Sequence, residues 1–189
     1  MQQKRSDFLA SVENISPHDM IFIDESGANL AMTTNYGRAE GGQRVKAPKP
    51  FNIGMNFSVI GAISLLGILA IMYIETAVDT NIFSVFIKEL LLSKLKPGQF
   101  VIFDNVKFHK GKEIKDLIES SGAKVVFLPP YSPDLSPIEK MWSKIKETLK
   151  KIMPRTAPQF HDALVKSLFN VNDDDFEKWY DCCGYSLEI

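Results

Sequence analysis

Two aspartates and a glutamate stand where carboxylates could do chemistry together. Asp24 follows Met20-Ile21-Phe22-Ile23 and Asp104 follows Phe100-Val101-Ile102-Phe103, so each acid closes a four-residue apolar run. Such runs read as short buried strands, and an acid at the end of one emerges with a fixed direction. If the two strands are neighbours, the carboxylates converge and repel unless a cation lies between them; hard oxygen donors then select Mg²⁺ or Mn²⁺. Glu139 comes third, on the first turn of a helix that opens at Ser136-Pro137 behind a proline-rich stretch. A rigid set of three carboxylates is what a pair of ions ~4 Å apart requires. Each acid also has a plainer reading. An aspartate at a strand end forms turns or caps helices, and Ser136-Pro137-Ile138-Glu139 fits a capping box in which the glutamate reaches back to its own cap. The combination, not any single acid, favours the metal site.

The elements that must position these acids follow from periodicity. After the strand at Met20–Ile23, a Gly-rich and locally basic stretch from Glu25 to Pro50 reads as a functional loop containing Arg38, Arg44, Lys46 and Lys49. Two strands are expected over about Ile53–Ile74, turning near Leu66-Gly67. A helix capped by Asp79 or Thr80 then ends at Pro97-Gly98. The strand at Phe100–Phe103, a helix over about Gly111–Ser120 and a strand at Lys124–Leu128 follow. Beyond Pro129-Pro130-Tyr131-Ser132-Pro133, the spacing predicts a helix over Pro137–Ile152 and two shorter ones over Gln159–Phe169 and Asp173–Tyr180. This order predicts an α/β fold: a mixed sheet with an antiparallel hairpin group and parallel strands, flanked by helices. The expected organisation is an N-terminal segment over 1–18, a catalytic domain over 19–152 and C-terminal helices over 153–189 packed on the same domain.

Bulk properties exclude some classes. With 45% hydrophobic and 24% charged residues, the chain is composed as a globular protein, not as a disordered one. Its apolar run from Phe57 to Ile74 is as long as a membrane helix, but Gly61 and Gly67 interrupt it and β-branched residues dominate, which predicts a buried hairpin. The adjacent Cys182 and Cys183 suggest a reducing compartment, and the polar N-terminus lacks the apolar core of a signal peptide, so a cytoplasmic protein is expected. The net charge of −1 does not advertise nucleic-acid binding. Any such binding must come from local placement. On the helix beginning at Pro137, Ile138, Met141, Trp142, Ile145, Leu149 and Ile152 form an apolar stripe. At about 100° per residue, Lys146 and Lys150 fall on the flank of Glu139, whereas Lys140, Lys144 and Lys151 fall opposite. A basic row starting at a metal-binding acid could track a phosphate backbone; an ordinary solvated helix face is the alternative.

Several segments resemble one family. Phe22-Ile23-Asp24-Glu25-Ser26-Gly27, Tyr36-Gly37-Arg38-Ala39, Phe103-Asp104-Asn105, Phe108-His109-Lys110 and the run from Leu128 through Tyr131-Ser132-Pro133-Asp134 to Glu139 resemble the mariner superfamily of transposases. They look most like its bacterial insertion-sequence branch of DDE superfamily endonucleases. The resemblance implies an RNase H-like fold with Asp24, Asp104 and Glu139 as the catalytic triad and as ligands of two Mg²⁺ or Mn²⁺ ions. Thirty-four residues separate Asp104 from Glu139, a spacing similar to that of the superfamily. It further implies cleavage of transposon-end DNA and joining of the freed 3′-hydroxyl to target DNA, typically at TA. Arg38, Arg44, Lys46, His109, Lys146 and Lys150 are the candidate DNA contacts; His109 packs or meets DNA, and Asn105 caps or orients Asp104.

Full-length relatives carry N-terminal helix-turn-helix modules, and no such module fits before Asp24. The chain is therefore expected to be a second reading frame, a truncated copy or an isolated catalytic domain; a homodimer is expected, and a separately encoded helix-turn-helix half is a candidate partner. The alternative is a domesticated fragment that binds DNA or dimerises without cutting. A phosphoacceptor signalling domain would want two acids at the first strand end and a lysine after the last strand, where Pro129-Pro130 stands instead.

Overall fold

The computed structural model describes residues 2–34, 36–44, 46, 50–51, 54–104 and 112–186. Helix α1, Gln2–Val12, comes first, and its Phe8 and Val12 are buried. Strand β1 runs Met20–Asn29, followed by β2, Asn56–Ser64, and β3, Gly67–Ile74. Helix α2, Thr80–Val85, is capped by Asp79, whose Oδ1 accepts from the Ile82 N–H at 2.8 Å, and continues through a wide turn over Phe86–Leu91. Then come β4 (Phe100–Phe103), α3 (Lys112–Glu119), β5 (Lys124–Phe127), α4 (Pro137–Ile152), α5 (Ala157–Phe169) and α6 (Asp173–Cys182).

The strands form one sheet in the order β3-β2-β1-β4-β5. β1 and β3 flank β2 antiparallel, while β4 lies parallel to both β1 and β5. The apolar run that matched a membrane span in length is the β2–β3 hairpin. Among the described residues no helix is long and apolar enough to cross a membrane.

Strand alternation divides the core between the two faces. Ile21, Ile23, Val101 and Phe103 point to one face and pack with Phe83, Phe86, Ile114 and Ile118 beneath α2 and α3. Met20, Phe22, Ile102, Val59 and Ile63 point to the other, against α4, α5 and α6. The apolar stripe of α4 is buried as its spacing predicts, from Ile138 through Leu149, while Ile152 at its end stays exposed. Each such side chain contributes roughly 1.5–3 kcal/mol on burial. The C-terminus closes this layer: Tyr180 meets Phe22 edge to face at 5.4 Å and donates its hydroxyl to the Met20 carbonyl at 3.0 Å.

One difference from expectation bears on the site. β1 does not stop at Ile23 but continues to Asn29, because β2 pairs along its whole length to Asn29↔Asn56. Its parallel pairing with β4 ends at Ile23↔Phe103. Asp24 therefore directly follows the last described β1–β4 pair, in a strand that β2 holds on past it.

Candidate active site

Alternation puts Asp24 on the face of Phe22, and Asp104 on that of Ile102, so both acids face the layer that contains α4. The third acid reaches them from that helix. Asp24, Asp104 and Glu139 line one cavity of about 510 Å³, walled by Leu128, the run from Pro129 to Pro133, and Ser136. Asp24 and Asp104 are half-buried and Glu139 is exposed at the mouth. Three elements far apart in the chain thus bring their carboxylates to one place.

Asp24 feels the charges of both other acids. The Asp24 carboxyl is pushed up to about 7, first by burial and then by the negative charges of Glu139 and Asp104. Hydrogen bonds from the Glu25 main-chain N–H and the Trp142 indole pull it part of the way back. The indole bond, Nε1 to Asp24 Oδ2, is 3.0 Å long. Among the described residues no three His, Cys, Asp or Glu groups are gathered tightly enough to hold an ion as they stand. The donor set nonetheless fits a hard divalent cation: all oxygen, clustered at one cavity, and with mutual repulsion that a cation would relieve.

The capping-box alternative for Glu139 is not realised. Ser136 makes no side-chain cap bond to α4. Its main-chain N–H, which a capping glutamate would take, is already given to the Pro133 carbonyl at 3.1 Å by the tight turn Pro133–Leu135. That turn is fastened from both ends of the chain. Arg5 makes a two-pronged contact with Asp134, at 3.0 and 2.6 Å, and donates to the Ser132 hydroxyl at 2.9 Å; Tyr185 donates to the Leu135 carbonyl at 2.7 Å.

A family model for the DDE superfamily endonuclease matches residues 19–162. The chain belongs to the DDE superfamily endonucleases. A comparison with curated proteins gives no significant match. Among solved structures, the fold of this DDE endonuclease is similar to that in a pre-cleavage Mos1 transpososome, with a TM-score of 0.74 and 14% identity over 97% of this chain and 60% of that one. The Mos1 mariner paired-end complex with Mn aligns with a TM-score of 0.72 and 14% identity, covering 97% of this chain and 60% of that one. The isolated catalytic domain of Mos1 mariner transposase aligns at 0.66 and 14%, covering 97% and 90%. The chain thus spans about 60% of the length of the transposases in the complexes, and the shared fold is the mixed-sheet, RNase H-like one.

The described candidate DNA contacts do not line the acidic cavity. Arg38, Arg44 and Lys46 are exposed on the irregular stretch between β1 and β2, and none lines the acidic cavity. Lys146 borders a separate groove formed by Gly27, Ala28, Asn29 and the start of β2. Lys150 is half-buried one turn further along α4. Lys49, Asn105 and His109 lie outside the described residues. On the opposite flank Lys144 pairs with Asp175, and Lys151 with Glu147 at 2.6 Å.

Sequence reasoning missed two members of the site. Trp142 reads from sequence as part of the apolar stripe alone, although it lies three residues after Glu139 and so on nearly the same side of the helix. Tyr131, 89% exposed on the cavity rim, has a φ of 56°. That conformation is uncommon outside glycine and concentrates at functional sites.

Proposed function

We propose that this DDE endonuclease is the catalytic domain of a transposase that cuts transposon-end DNA and joins the freed 3′-hydroxyl to target DNA, with TA as the target dinucleotide. The observation that carries this reading is the convergence of Asp24, Asp104 and Glu139 on one cavity. These three residues would hold two Mg²⁺ or Mn²⁺ ions. When bound, such ions activate the attacking oxygen and steady the leaving one. The chain's own part is to place the donors. Asp24 is set by a strand continuing past it, Asp104 by the end of β4, and Glu139 by a helix whose approach loop is fastened by Arg5 and Tyr185. The solved Mos1 complexes that match the fold include paired ends and a strand-transfer complex, one with Mn and one with Mg, which supports the same chemistry here.

The partners in this reading are transposon ends, target DNA, a second copy of the chain and a separately encoded helix-turn-helix half. Lys146 and Lys150, with Arg38, Arg44, Lys46 and His109, are the residues proposed to meet DNA.

The test is strand nicking of element-end DNA in Mg²⁺, run beside a binding assay. Asp24→Asn, Asp104→Asn and Glu139→Gln should each lower cleavage at least about a thousandfold, some 4 kcal/mol of barrier, with DNA affinity nearly unchanged. Nicking retained in all three variants would refute the assignment. Binding without nicking in the wild type would favour the non-cutting fragment.

A further inference from the structure

The indole bond to Asp24 crosses 118 residues of sequence and comes from a side chain that is 2% exposed. A buried indole must place its N–H on an acceptor, and Trp can only donate. At a purely apolar position Leu or Phe would avoid that demand. Here the acceptor is the central carboxylate of the site.

Strand β2 accommodates this ring. Gly61 is the direct antiparallel partner of Asp24. A Cβ at position 61 would come 2.8 Å from Trp142 Cη2, 2.9 Å from Cζ2 and 3.0 Å from Ile71 Cδ1, closer than side chains pack. Gly61 is not among the residues with positive φ, so its backbone makes no demand for glycine. The demand is space. The indole lies in a notch across β2 and is wedged there with its N–H on Asp24.

We propose that Trp142 is the positioning residue of Asp24, and that Gly61 is glycine so that the indole can reach the carboxylate. This rests on the reading of Asp24 as a metal ligand. A neutral donor fixes Oδ2 without adding the positive charge that an Arg or Lys would bring, so the carboxylate keeps its charge for the cation. Outer partners of this kind orient ligands, and their loss typically weakens metal affinity or activity 10–100-fold. Because Trp142 and Glu139 share one face of α4, a single rigid helix supplies the third carboxylate and orients the first.

The experiment uses the full chain and the metal alone. Its two tryptophans, Trp142 and Trp179, give two indole signals in a ¹H–¹⁵N spectrum, and Trp142→Phe identifies them. Mg²⁺ should move the Trp142 signal and leave that of Trp179 in place, and Asp24→Asn should abolish the movement. In calorimetry Trp142→Phe should weaken Mg²⁺ binding at least about tenfold, and Gly61→Ala should weaken it in the same direction with the indole retained. Should Trp142→Phe fail to fold, 3-benzothienylalanine at position 142 keeps the ring shape without the N–H and should show the same loss. A folded variant lacking the N–H that binds Mg²⁺ like the wild type overturns the positioning role. If wild type and Asp24→Asn are equally silent to millimolar Mg²⁺, the metal site itself falls, and the inference with it.

Discussion

Two helices of this protein begin with the same spacing of cap and acid, and they use it in opposite ways. α6 opens at Asn172, and the acid three residues on, Asp175, reaches back to accept the Asn172 main-chain N–H at 2.8 Å. α4 opens at Ser136, and the acid three residues on, Glu139, makes no such return and lines the cavity instead. The difference lies upstream of the helix. Before α4 the turn Pro133–Leu135 has already satisfied the Ser136 N–H, so Glu139 is left for other work. An acid withheld from the local bond its position offers is better evidence of function than an acid in a motif, because the stabilising use was within reach and is not taken.

The contrast predicts opposite phenotypes. Glu139→Gln should remove cleavage by about a thousandfold while changing stability by less than about 0.5 kcal/mol, as expected for an exposed side chain without a structural bond. Denaturant unfolding beside the nicking assay checks both. A Glu139→Gln protein destabilised as much as a cap mutant would return Glu139 to the capping role.

The pH response should separate the two ends in sign. Asp24 has a carboxyl raised to about 7, above its unfolded value of 3.8. The folded state therefore binds that proton more tightly. The stabilisation is complete below about pH 4 and is lost as pH rises toward 7. With allowance for its half-buried position, the loss should be on the order of 2 kcal/mol. Burial is the first cause, followed by the charges of Glu139 and Asp104, opposed by the Glu25 N–H and the Trp142 indole. Asp175 works the other way. Burial would raise it, but the Lys144 ammonium and the Asn172 N–H outweigh that and hold it below its ordinary value, so its contribution is lost as pH falls through the acid range. Urea unfolding of the metal-free protein from pH 5 to 8 should show the decline, and Asp24→Asn should flatten it. Added Mg²⁺ should restore stability most at the upper end, where the site is deprotonated. A decline that survives in Asp24→Asn would place its origin elsewhere.

Asp175→Ala is the structural counterpart. It removes the return bond to Asn172 and the pairing with Lys144, and should cost about 1–2 kcal/mol, a drop of about 2–8 °C in Tm for a domain of this size. Cleavage per folded molecule should stay at the wild-type level. Thermal unfolding and nicking on the same samples decide it.

The same comparison shows what the sequence could and could not disclose. The apolar runs were enough to put Asp24 and Asp104 at strand ends, convergent once β1 and β4 are neighbours, and helical spacing delimited α4 correctly from Pro137 to Ile152. The length of β1 was not legible. Residues from Glu25 to Asn29 are polar or small, and only the partner strand β2 makes them strand. Nor was the fate of Glu139, because the competition for the Ser136 N–H depends on a turn whose geometry no periodicity encodes. Trp142 read as core because burial and hydrogen bonding to Asp24 need the same residue type at the same place, and only the register of Gly61 opposite Asp24 hints at the second purpose.

The smallest expected effect concerns the lysines of α4, which divide along the same line. Lys144 points to α6 and is engaged by Asp175. Lys146 borders the groove beside Gly27 and Asn56, and among the described residues no acid lies within ion-pair distance of it or of Lys150, whose neighbour Glu147 is held by Lys151. A cation held by a carboxylate has little to offer a phosphate, whereas one without such a partner releases counterions when DNA arrives. Each phosphate contact adds about 0.9 to the slope of log K against log salt. Lys146→Ala and Lys150→Ala should therefore each make that slope shallower by about 1, with little change in Tm. Lys144→Ala should lower Tm and leave the slope alone. Slopes measured by fluorescence anisotropy over a salt series settle the matter: an unchanged slope in the first two variants removes them from the DNA path, and a changed slope in the third would mean that its bond to Asp175 opens when DNA binds.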